Sequence, residues 1–151
     1  MKLRLRHVGP LLATALLLAP APAWALEYRS TGRAALLYDA PSTTSGKVAV
    51  AGSGLPLEVI VETEGWVKVR DHTDRLAWIE KSALGGAKTI MVTRESSIIR
   101  QQPRADADIA FRAARGVLLE LNGNPNSNGW IPVRHVNGLT GWLPVNEAWG
   151  R

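Results

Sequence analysis

Gly65-Trp66-Val67-Lys68-Val69-Arg70, followed by Trp78-Ile79, returns downstream as Gly129-Trp130-Ile131-Pro132-Val133-Arg134, followed by Trp142-Leu143. Both copies keep the same twelve-residue gap between their tryptophans, and together they hold four of the six tryptophans in the chain. A match of that kind means one structural unit used twice. Within each copy the apolar and polar positions alternate, which is the period of a strand. Val67 and Val69 then share one face and look into a core, while Trp66, Lys68 and Arg70 share the other.

Working outward, residues 32–38 read as a strand, residues 40–46 as a loop rich in turn formers, and residues 55–61 as a mostly apolar strand. Residues 66–70 and 76–79 then form a hairpin, and Gly85-Gly86 begins a linker. In the second copy Ile98-Ile99-Arg100 and Pro103 answer Leu36-Leu37-Tyr38 and Pro41 at an offset of 62, whereas the hairpins lie 64 apart. Two extra residues therefore sit in the Asn/Gly/Pro-rich loop before Trp130, where insertion costs little. Residues 109–115 have some helical propensity, but their repeat partner, residues 48–53, has none, so the repeat argues for strand. The expected fold is all-β: two small five-stranded barrels in tandem, over residues 26–86 and 87–151. Units of about 60 residues bury only a marginal core, and there is no cysteine to staple them. They are expected to pack on each other or on a partner.

The register of the second hairpin decides which way its tryptophans face. A two-residue turn at Asn137-Gly138 pairs Val133 with Trp142; a three-residue turn with Gly138 left-handed pairs Ile131 with Leu143. The second is preferred, because it gathers Ile131, Val133 and Leu143 in the core and puts Trp130 and Trp142 on one outer face. By the same logic Trp66 and Trp78 are neighbours.

Residues 1–25 have a short basic start, an apolar run over residues 11–18, Pro20 and Pro22, and an Ala23-Trp24-Ala25 ending, the composition of a cleaved export leader. The apolar run is too short for a comfortable membrane anchor, so the expected location is periplasmic or secreted, with no stable membrane anchor. Removing Lys2, Arg4 and Arg6 leaves 15 basic against 13 acidic side chains, too balanced and too scattered for a nucleic-acid footprint. No metal-ligand spacing, nucleophile elbow or glycine-rich phosphate loop is present. His72 and His135 fall in corresponding hairpin loops of separate units. The expectation is a non-enzymatic protein without a cofactor.

The paired motifs resemble those of bacterial SH3 domains: an early arginine ahead of a proline, a glycine before an apolar strand, Gly-Trp-x-x-Val, then Thr-Gly-Trp and an apolar residue. The second unit matches with Arg100, Pro103, Gly116, Gly129, Trp130, Val133, Asn137-Gly138 and Thr140-Gly141-Trp142-Leu143. The first departs at Tyr38, where the arginine would stand, and at Leu76-Ala77, where Thr-Gly would stand. The resemblance implies a binding module for cell-wall peptidoglycan or an exported protein partner, the latter including an inhibitory role. The candidate ligand-binding residues are Trp130, Trp142, Arg100 and Arg134 in the second unit, and Trp66, Trp78, Arg70 and Tyr38 in the first. The same aromatics could equally cap a core too small to bury them, since tryptophan is seldom fully buried.

Overall fold

The computed structural model describes residues 26–126 and 128–151; the leader expected over residues 1–25 lies outside them. The strands are β1 (Tyr28–Ser30), β2 (Ala35–Tyr38), β3 (Lys47–Ala51), β4 (Pro56–Glu62), β5 (Trp66–Arg70) and β6 (Leu76–Glu80), then β7 (Thr89–Val92), β8 (Ser96–Arg100), β9 (Ile109–Ala114), β10 (Leu118–Leu121), β11 (Trp130–Arg134), β12 (Thr140–Pro144) and β13 (Ala148–Trp149). One-turn 3-10 helices at Lys81–Ala83 and Val145–Glu147 follow β6 and β12. Residues 109–114 are strand, as the repeat requires.

Two antiparallel sheets result, ordered β1-β4-β5-β6-β2-β3 and β13-β7-β10-β11-β12-β8-β9. They have six and seven strands rather than the five expected in each, and pairing does not close either ring. The excess comes from the short segments around the repeat: β1 adds to β4, β7 to β10, and β13 to β7. Each satisfies backbone groups that the central strand would otherwise leave unpaired. The two cores are equivalent. Leu37, Leu57, Val67, Val69 and Ile79 fill the first, and Ile99, Leu119, Ile131, Val133 and Leu143 the second.

The units pack on each other through a small polar knot. Thr89 donates its hydroxyl to the Gly54 carbonyl, and its backbone N–H to Ser30 Oγ at 3.0 Å. Ser30 Oγ and Thr89 Oγ1 are 2.8 Å apart. With the Thr89 proton already committed, the Ser30 hydroxyl is the donor between them, and every member is satisfied. Beside the knot, Tyr28 meets Trp149 edge-on at 5.3 Å, and Gly150 packs against Pro56 so closely that a Cβ would come within 2.4 Å of it.

Candidate functional site: a groove repeated in both units

Both hairpins take the preferred register. Ile131 pairs with Leu143 and Val67 with Ile79, and the turns are three residues long, with His135 N–H bonded to Leu139 O and Asp71 N–H to Arg75 O. The left-handed turn residue is Gly138 (φ 90°) in the second unit and Asp74 (φ 64°) in the first. A non-glycine residue is tolerated there because buried Asp71 organises the loop: its Oδ1 accepts the Thr73 N–H at 2.8 Å, the Thr73 hydroxyl at 2.6 Å and the Arg75 N–H at 3.1 Å. Burial works against the Asp71 carboxylate, but the Thr73 and Arg75 hydrogen bonds and the Arg75 charge outweigh it and hold its pKa below the ordinary value. A depressed carboxyl stabilises the fold fully above the unfolded-state value, about 3.9, and loses that contribution as pH falls through the folded value. Asp71→Asn should therefore cost about 1–2 kcal/mol at neutral pH. Urea midpoints should show the difference between variant and parent shrinking as pH falls below the unfolded-state value of about 3.9.

With the valines inward, Trp66, Lys68 and Arg70 face out across from Glu80, Trp78 and Leu76, and Trp130, Pro132 and Arg134 across from Pro144, Trp142 and Thr140. Strands β2 and β8 continue these faces, Tyr38 opposite Trp78 and Arg100 opposite Trp142. On each face lies an open groove in the same place. In the first unit it is lined by Arg33, Ala34, Leu36, Tyr38, Val50 and Glu80, about 340 Å³. In the second it is lined by Arg94, Ser96, Ile98, Arg100, Trp130 and Glu147, with Pro144 at the Glu80 position, about 220 Å³.

The two grooves differ in chemistry. Tyr38 is buried and meets Trp66 edge-on, ring centroids 5.4 Å apart, and the flanking charges are paired, Arg33 Nη2 to Glu80 Oε2 at 3.6 Å. The first groove thus carries no net charge. In the second, Arg100 replaces the phenol. Its Nη1 donates to Ala107 O at 2.9 Å, which positions the guanidinium and leaves its remaining N–H groups for another acceptor. Arg94 lies 3.5 Å from Glu147, so two guanidiniums share this groove with one carboxylate.

Several expected site residues fall elsewhere. Trp66 takes Tyr38 as its ring partner, while Trp78 lies under Lys68 Nζ at 6.0 Å. Arg70 is 3.6 Å from buried Glu58 and serves to balance it. Arg134 donates to Asn122 Oδ1 at 2.7 Å. Trp142 shares the outer face with Trp130 but lines a separate cleft. Arg33, Leu36 and Glu80, and Arg94, Ile98 and Glu147, were not expected at the site, although the repeat offset already aligned Leu36 with Ile98. Among the described residues no cluster of His, Cys, Asp and Glu could hold a metal ion, and no helix is long and apolar enough to cross a membrane.

Comparison with curated proteins gave no match. Among solved structures the chain is similar to NlpC2 from Trichomonas vaginalis (13% identity, TM-score 0.37, covering 84% of this chain and 49% of that one). It is also similar to NlpC1 from the same organism (14%, 0.39, 95% and 52%) and to an NlpC/P60 family protein from Bacillus cereus ATCC 10987 (16%, 0.39, 82% and 56%). The chain spans about half the length of these proteins. A profile of the bacterial SH3 domain matches twice, over residues 32–86 and 94–150. Because the matched segments take in both repeats and most of the chain, the chain belongs to the bacterial SH3 domain family.

Proposed function

We propose that this protein is an exported, non-enzymatic adaptor that binds cell-wall peptidoglycan, with the second groove taking a carboxylate of the wall's stem peptide. Bacterial SH3 domains are in general binding modules for cell wall or protein. The observation that carries the finer reading is the groove itself, repeated in both units, with two guanidiniums against one carboxylate in the second. Planar guanidinium groups pair well with carboxylates, and Trp130 supplies an apolar wall for the adjoining side chain. Groove one, with its charges already paired, suits an uncharged stretch of the same polymer. Co-sedimentation with purified sacculi tests this. The protein should pellet at low salt and be released as salt screens the guanidiniums, whereas a protein that stays in the supernatant at low salt contradicts the reading.

A protein partner is the second reading, and one observation favours it. Strand β3 is a free sheet edge carrying Val48 and Val50, which are 44% and 70% exposed. Such an edge can accept a strand from another chain. A stoichiometric partner recovered from the envelope after wall digestion, and lost on Val50→Lys, would favour it over wall binding.

A further inference from the structure

We infer that the cleft beside Trp142 is a second site, for a neutral saccharide. It is about 520 Å³ and lies on the same outer face of the second unit, apart from the arginine groove. Half-buried Trp142 supplies its main apolar surface, with buried Pro132 beneath; Gln101, Asn122, Asn124 and Thr140 are the polar residues that line it. None of its lining side chains is charged. Flat apolar surface with amide and hydroxyl groups around it matches the face of a pyranose ring, whose C–H groups lie against an indole while its hydroxyls take donors and acceptors together. The cation that borders the cleft, Arg134, is engaged by Asn122 Oδ1.

The cleft is a product of the insertion. In the first unit β4 runs on to Glu62 and pairs Val61 with Lys68, leaving Lys68 lying over Trp78. In the second unit β10 ends at Leu121, and the chain turns away through Gly123 (φ 135°), where a Cβ would stand 3.3 Å from Pro132. Pro132 contributes no N–H at this point, so the departing loop leaves no donor unpaired. The loop is fixed at both ends. Asn122 N–H donates to Pro132 O at 2.9 Å, and Asn126 Oδ1 accepts the N–H groups of Asn128 and Trp130 at 3.1 and 3.0 Å. Arg134 occupies Asn122 Oδ1, which leaves the amide NH₂ of Asn122 as the donor available to a ligand. Gln101, Asn124 and Thr140 make no side-chain hydrogen bond among the described residues, so their groups are available too.

The assignment stands on this cleft and does not require that the arginine groove bind the wall. The test is an NMR titration of the purified protein, following backbone, side-chain amide and indole N–H signals. The probes are tetramers of β-1,4-linked N-acetylglucosamine and of β-1,4-linked glucose, with tetra-alanine amide as the peptide control. At least one saccharide should shift the Trp142 indole and the Gln101, Asn122 and Asn124 amides with a Kd on the order of 1 mM. Gln101→Ala/Asn124→Ala, changes at exposed positions, should weaken that response about tenfold, and Lys47→Ala on the exposed edge of the first unit should leave it unchanged. No shift at these positions with either saccharide up to about 10 mM overturns the assignment, and so do shifts centred on Trp130 or produced by tetra-alanine amide alone. A protein that fails to pellet with sacculi yet responds to a saccharide would sink the wall reading and keep this one.

Discussion

Gly141→Val should destabilise the second unit severely, by far more than any comparable change in the first. A Cβ at position 141 would stand 2.5 Å from Ile99 Cγ2, 2.7 Å from the Arg100 carbonyl oxygen and 3.2 Å from Ala110 Cβ. Two of these neighbours cannot swing aside, because Ile99 is fully buried and the Arg100 carbonyl is backbone at the bulge between β8 and β9. Overpacking of this kind costs about 1–3 kcal/mol, and valine belongs at or above the upper end. A unit of this size holds only about 3–9 kcal/mol in total. The first unit is an internal control. Ala77 stands at the equivalent place, 2% exposed, so that ladder already accommodates a methyl group. Ala77→Gly should cost about 1 kcal/mol through lost packing and backbone entropy. Calorimetry distinguishes the two variants, and a Gly141→Val protein that melts like the parent would mean that β12 and β8 do not approach as described.

Thr89→Val should uncouple the two units. Valine keeps the shape but removes the hydroxyl that serves the Gly54 carbonyl and receives Ser30. Ser30 is buried, and its stranded hydroxyl and the Gly54 carbonyl together should cost about 2–3 kcal/mol. The loss falls at the junction and not in either core. The parent protein should therefore unfold in one transition, and the variant in two, the first at a clearly lower temperature. Retention of a single transition at an unchanged midpoint would show that the contact through Tyr28, Trp149, Pro56 and Gly150 suffices alone.

The hairpins were legible because their signals are local. The apolar alternation in residues 66–70 and 130–134, and a turn with Gly138 left-handed, determine the register without any knowledge of the rest of the chain. The offset of 62 against 64 likewise located the insertion. Strand count was not legible, because β1, β7 and β13 are two to four residues long and exist only where a free ladder receives them. The site was half legible. Arg100 and Trp130 line one candidate groove, but Arg94 and Glu147 enter it from segments flanking β8 and β12, a placement that alternation along one strand cannot reveal. Tyr38 and Trp66 meet across the sheet, and Arg70 and Arg134 are engaged by Glu58 and Asn122 on neighbouring segments, contacts that a single-hairpin reading omits.

Calorimetric titration with a soluble, carboxylate-bearing muropeptide measures the difference between the two grooves directly. Arg100→Ala should weaken binding by about tenfold or more, the loss of one charge-assisted hydrogen-bonded pair. Arg94→Ala should act in the same direction, while Trp66→Ala in the first unit should leave the affinity for this ligand within about twofold. Unchanged affinity in the folded Arg100→Ala protein, or binding abolished by Trp66→Ala and kept by Trp130→Ala, would contradict carboxylate binding in the second groove.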